Sequence, residues 1–106
     1  MYYELRTYTL SPTLMADWLA LYQGDALAVQ TEHLGNLVGF FTTEFGEANQ
    51  VVHIWAYESL DDRAARRARM AADPRWGEFA RKNKALGAVL KLESRLLRPT
   101  GFSPLQ

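Results

Sequence analysis

The 106-residue chain has no cysteine, which removes disulfide frameworks, thiolate nucleophiles and cysteine-bound zinc together. No run approaches the roughly 18 apolar residues of a membrane span. Twelve basic and twelve acidic side chains cancel, so no charge excess calls for nucleic acid or an anionic membrane surface. There is no phosphate-binding glycine loop, no nucleophile elbow and no Cys-His pair. The two histidines are not at metal-ligand spacing, and no acidic cluster joins them, so neither a metal nor a cofactor is expected. The N-terminus runs straight into a strand-like segment with no basic leader. Together these absences predict a soluble cytoplasmic protein. Residues 1–106 are expected to form a single domain, long enough to bury a core without staples.

What is present is organised around Val51 to Glu58, Val-Val-His-Ile-Trp-Ala-Tyr-Glu. A period of two separates Val52, Ile54 and Ala56 from His53, Trp55 and Tyr57. Tyr2 to Leu10 alternates in the same way, with Tyr3, Leu5, Thr7 and Thr9 opposite Glu4, Arg6, Tyr8 and Leu10. Ser11-Pro12 opens a helix whose buried stripe is Leu14, Trp18, Leu21 and Tyr22. Gly24 breaks or bends it before Ala26 to His33, and Gly35 caps its end. Leu37 to Phe45 and Gln50 to Tyr57 form a strand pair joined by Gly46-Glu47-Ala48-Asn49. Ser59 caps a second helix whose alanines allow close packing on a sheet, with Asp62 favouring its N-terminal dipole and pairing with Arg66. Asp73-Pro74 restarts the helical pattern, with Trp76 and Phe79 as core residues. Val89 to Arg98 is a last strand, stopped by Pro99. The expected fold is α+β, a ferredoxin-like βαββαβ chain with an antiparallel four-stranded sheet and both helices on one face.

Ordinary core patterning puts Leu5, Val52, Ile54 and Ala56 under the helices. Arg6, Tyr8, His53, Trp55 and Tyr57 then face away, joined by Glu4, Glu93 and Arg95 on the same alternation. In the last strand, Leu92, Ser94 and Leu96 compete with Lys91, Glu93, Arg95 and Leu97 as the inner set. So large an aromatic surface on an uncovered sheet predicts a homodimer joined through the sheet face. Ionisable residues enclosed there either specify register or line a polar cavity that is used. His53 is the natural general base or ligand among them, although a lone strand histidine is commonly a hydrogen-bonded interior residue. His33 lies near a helix end, where the dipole accounts for it. The tail, with Phe102 and Leu105, is expected to fold over the barrel mouth or the partner protomer.

The chain resembles the NIPSNAP family of the dimeric α/β-barrel superfamily. The residues that carry the resemblance are Tyr3-Glu4-Leu5-Arg6-Thr7-Tyr8-Thr9-Leu10, Leu37-Val38-Gly39-Phe40-Phe41-Thr42-Thr43-Glu44, Asn49-Gln50-Val51-Val52-His53-Ile54-Trp55-Ala56-Tyr57 and Glu93-Ser94-Arg95-Leu96-Leu97-Arg98-Pro99. One departure is Phe40, where the family pattern more often has tyrosine. The resemblance implies a ferredoxin-like protomer that dimerises into a barrel; it implies no particular reaction. Three functions follow as expectations. The first is a small-molecule binder, with Arg6 on a carboxylate or enolate, Trp55 and Tyr57 as apolar wall, and His53 with Tyr8 exchanging protons. The second is a cofactor-independent monooxygenase or isomerase with His53 as base. The third is a structural or adaptor dimer with a filled interior.

Overall fold

The computed structural model describes all of residues 1–106. The elements are β1 (Tyr2–Leu10), α1 (Met15–Leu21), α2 (Leu27–Leu34), β2 (Asn36–Thr42), β3 (Gln50–Tyr57), α3 (Leu60–Ala72), α4 (Pro74–Leu86) and β4 (Val89–Leu97). The sheet order is β2-β3-β1-β4 and every neighbouring pair is antiparallel. This is the ferredoxin-like α+β arrangement, with the helices layered on one side. No helix is long and apolar enough to cross a membrane.

Local chemistry sets the boundaries. Ser59 accepts a hydrogen bond from the Asp62 amide at 3.0 Å and starts α3, as an N-cap serine should. Asp73 ends α3 and caps α4, whose first residue is Pro74. Gly35 ends α2 at φ 84°, a backbone conformation that a residue with a Cβ adopts only under strain. Gly24 does not break its helix. Residues Tyr22–Ala26 form a single π-helical turn that carries α1 into α2, and the widened turn buries both Tyr22 and Ala26.

β2 stops at Thr42, three residues short of the Phe45 expected from composition. The loop that follows is anchored at its far end, where the Leu10 amide donates to the Asn49 carbonyl at 2.8 Å and Asn49 Nδ2 donates to the Leu10 carbonyl at 2.9 Å. The chain is thereby tied to the end of β1, and Phe45 is left 90% exposed in the loop.

The two faces of the sheet are reversed relative to expectation. His53, Trp55 and Tyr57 are fully buried beneath the helices, with Glu4 and Arg6 beside them. Val52, Ile54 and Leu5 lie on the uncovered face. In β4 the helix-side set is Leu92, Ser94 and Leu96, opposite Tyr8, Arg6 and Glu4. Glu93 and Arg95 pair with Thr7 and Leu5, so they belong to the uncovered face, apart from the residues with which they were grouped.

The helix layer shows why. On α3, Ala64, Ala65, Ala68, Ala71 and Ala72 are exposed, while Arg63, Arg66, Arg67 and Met70 turn inward. The alanines were expected to pack on the sheet; the arginines do so instead, because a polar sheet face needs donors above it. Large helical side chains complete the match, with Trp18, Tyr22 and Phe79 in one buried cluster and Leu34, Met70, Trp55 and Tyr57 in the other.

The tail returns across its own uncovered face, where the Tyr3 hydroxyl donates to the Gln106 carbonyl at 3.0 Å. It covers one end of that face, over a hollow of about 320 Å³ that includes Tyr3, Ile54, Leu97 and Leu105.

Candidate functional site

Register across the sheet creates rows of side chains beneath the helices. One row runs Phe40, His53, Arg6, Ser94, and the next runs Leu37, Trp55, Glu4, Leu96. Six of the eight residues singled out from the sequence, Glu4, Arg6, Tyr8, His53, Trp55 and Tyr57, therefore do share one surface.

His53 occupies an aromatic box. Phe40 stacks on its ring with centroids 4.7 Å apart, and Tyr8 meets it edge-on at 4.9 Å. The Trp55 indole N–H donates to His53 Nδ1 at 2.8 Å. An indole nitrogen can only donate, so Nδ1 is the acceptor and the proton of the neutral ring sits on Nε2. That Nε2–H is buried without a partner, a condition that costs about 1–3 kcal/mol. Burial pushes the His53 imidazole down to about 3, and the Arg6 guanidinium adds to the shift. His53 is thus a neutral hydrogen-bond donor across the physiological range.

A cleft of about 360 Å³ opens beside this box, between the α1–α2 rod and β2. Leu19, Tyr22, Gln23, Leu27, Leu37 and Phe40 line it. Phe40 thus forms the cleft wall on one side and stacks on His53. Tyr22 is fixed by its hydroxyl, which donates to Oε1 of the buried Gln30 side chain, and burial raises the pKa of that hydroxyl well above the usual phenol range.

The second polar group centres on Glu4, which is 1% exposed. It accepts from Arg6 Nη1 at 2.9 Å, Arg63 Nε at 3.1 Å and Nη2 at 3.0 Å, and Ser94 Oγ at 2.6 Å. Burial alone would raise its pKa, but the hydrogen bonds from Arg63, Ser94 and Arg6 outweigh that and hold it at about 2. Arg6 also donates to the Tyr8 hydroxyl at 3.3 Å. It is therefore spent inside the protein, which removes the expected role as carboxylate holder. Arg67 Nη1 lies 4.0 Å from Glu4, and neither this nitrogen nor the Tyr57 hydroxyl has a hydrogen-bond partner of good geometry.

Arg63, Arg67, Tyr22 and Phe40 were not among the expected site residues. The signal for the arginines was legible: Arg63 and Arg67 sit four apart, on one helix face, opposite the alanines. Helical spacing makes Tyr22 a core residue, and only the π turn and the cleft give it a second role.

His33 also departs from expectation. It lies in the last turn of α2, but its Nε2 meets Asp73 at 2.9 Å, and Glu32 stands close to both. Arg75 binds Asp73 and Glu32 together, so a guanidinium already supplies the cation in this acidic group.

These features define a ferredoxin-like α+β protein with a polar, aromatic-lined layer between sheet and helices. The NIPSNAP family profile matches residues 3–104, and the chain belongs to that family. NipSnap homolog 3A of Homo sapiens is 39% identical over 109 residues, covering 98% of this chain and 41% of that protein. Protein NipSnap of Drosophila melanogaster is 34% identical over 104 residues, with 98% and 37% covered. The chain thus spans about two fifths of the length of these curated relatives, and 19% of a relative from Caenorhabditis elegans. Among solved structures, protein Atu4242 of Agrobacterium tumefaciens superposes with a TM-score of 0.93 at 44% identity, over 100% of both chains. A monooxygenase from the gene ActVA-Orf6 of Streptomyces coelicolor, solved with nanaomycin D, has a TM-score of 0.63 at 16% identity, over 94% of this chain and 88% of that one. At that identity the likeness is one of fold alone.

Proposed function

We propose that this chain binds a small, flat, mostly apolar organic molecule carrying an oxygen acceptor, which enters by the Tyr22–Phe40 cleft and takes a hydrogen bond from His53 Nε2–H. The observation that carries the reading is the partnerless donor inside an aromatic box next to an open cleft. Buried donors without acceptors are rare because they are costly, and the cleft volume falls within the range of small-molecule sites. Movement of the Phe40 ring would join cleft and box.

The test is a titration of aromatic ketones against matching hydrocarbons, followed by the His53 ring signals in NMR. Ketones should bind about tenfold more tightly, the worth of one net hydrogen bond of about 1.4 kcal/mol. The preference should vanish in His53→Asn, whose Oδ1 still accepts from Trp55 but which has no donor at Nε2. Equal affinity for ketone and hydrocarbon in the native protein would refute the reading. The enzymatic alternative with His53 as base has weaker support, because a group with a pKa of about 3 and its Nδ1 lone pair engaged removes protons poorly. An adaptor with a filled interior would have no use for the cleft.

The proposal includes a homodimer through the uncovered sheet face, now formed by Leu5, Thr7, Phe41, Val52 and Ile54. Four strands about 4.8 Å apart and eight residues at about 3.3 Å rise give a flat area of roughly 500 Å², which side-chain relief brings toward that of a specific interface. Sedimentation should show dimer at micromolar concentration, and Ile54→Lys should give a folded monomer. A native protein that sediments only as monomer would exclude this assembly.

A further inference from the structure

The Glu4 group is unbalanced in charge. Arg6, Arg63 and Arg67 bring three guanidiniums to one carboxylate. Asp62, on the same helix as two of them, is taken by Arg66 at 2.9 Å. At this end of the sheet Arg98 adds a further cation, lying 5.9 Å from the centre of the Tyr2 ring, and Tyr2 is the register partner of Tyr57. Against this excess stand two enclosed polar atoms with no hydrogen bond of good geometry, Arg67 Nη1 and the hydroxyl of the fully buried Tyr57, which lie against each other so that the guanidinium opposes the rise in the phenol pKa that burial causes.

Both atoms are shielded from solvent in this conformation, but the edge of the group to which they belong is open. β4 is exposed from Leu90 to Leu97, and its helix-side residues Leu92 and Leu96 are 48% and 44% exposed. Ser94 lies between them and bonds Glu4. The side chains of Arg63 and Arg67 are 32% and 28% exposed, so part of each lies at the surface beside β4, and a rotation of the Arg67 side chain would uncover the enclosed donors. From these observations we infer that the shelf between α3 and β4 binds an oxyanion, a carboxylate or phosphate group, with Arg67 and Tyr57 donating to its oxygens and Arg63 adding charge. Glu4 fixes Arg63 and Arg6 in place and keeps the site from closing on itself. The site is distinct from the cleft: Tyr57 is four residues from His53 along β3, about 13 Å at 3.3 Å per residue. The two proposals therefore stand or fall separately.

The experiment is calorimetric titration of the full chain with sodium phosphate and with sodium acetate, each against sodium chloride at matched ionic strength. Binding by either oxyanion beyond the chloride effect is expected. Tighter binding of phosphate would point to a phosphate source, and tighter binding of acetate to an organic carboxylate. Tyr57→Phe and Arg67→Gln should each weaken binding at least tenfold, while Arg69→Gln, an equal loss of charge at an exposed position of the same helix, should change it less than twofold. Tyr57→Phe provides a further check. With no acceptor for the hydroxyl, its removal should leave the melting temperature in oxyanion-free buffer unchanged or higher. Responses no larger than that to chloride, binding that survives both variants, or a melting temperature that falls in Tyr57→Phe would each overturn the assignment.

Discussion

Replacing Glu4 with glutamine is expected to destabilise the protein by about 3–5 kcal/mol, the usual cost of removing one partner from a buried ion group. The carboxylate is 1% exposed and accepts from Arg6, Arg63 and Ser94. A glutamine keeps one acceptor oxygen, turns an NH2 group toward guanidinium donors, and leaves three positive charges with no counter-charge. Against a total stability of about 5–15 kcal/mol for a domain of this kind, the loss is large. Arg63→Met should cost only about 1 kcal/mol or less, because that guanidinium is a third exposed and water replaces much of what it loses. Urea unfolding of both variants at neutral pH checks the contrast. A cost below about 1 kcal/mol for Glu4→Gln would mean that the carboxylate does not hold the arginines together.

Acid should weaken the fold well before ordinary carboxylates titrate. His53 has its pKa lowered from 6.5 to about 3 in the folded protein. The unfolded chain therefore takes up a proton below pH 6.5 that the folded chain refuses. Stability from this source is complete above pH 6.5 and falls by about 1.4 kcal/mol per pH unit below it, levelling only near the folded pKa. Between pH 6.5 and 4.5 the loss is about 2–3 kcal/mol. Glu4 acts in the same direction but later: its pKa is lowered from 4.5 to about 2, so its contribution is present above pH 4.5 and is lost as the pH falls toward 2. Unfolding free energies measured across this range should decline from pH 6.5 in the native protein. In His53→Asn they should stay nearly level down to pH 4.5, from a lower starting value because the ring's packing is lost. Parallel profiles for the two proteins would show that His53 is not the buried neutral group described.

The order of elements, their caps and the antiparallel ferredoxin-like arrangement were legible in the sequence, because they rest on local chemistry. Ser59, Asp73-Pro74 and Gly35 each mark a boundary through hydrogen bonds or backbone angles that involve only their neighbours in the chain. Membership of one surface was legible too, since a period of two places Glu4, Arg6 and Tyr8 together, and His53, Trp55 and Tyr57 together, whatever lies above them. Alternation could not decide which surface the helices cover. It separates two sets of side chains without ranking them, and here both sets contain enough apolar residues to serve as a core. Tertiary pairing broke the tie. Arg63 and Arg67 reach Glu4 across 59 and 63 residues of chain, and Trp18, Tyr22 and Met70 supply volume that only the larger set complements. The same limit applies to Glu93 and Arg95, whose face depends on the register of β4 against β1. It applies as well to the partnerless Nε2 of His53, whose state follows from a single bond to Trp55. The sequence alone therefore determined which side chains stand together. Only the three-dimensional packing decided which of those groups is buried, because burial is a property of the partner surface and not of the strand that carries it.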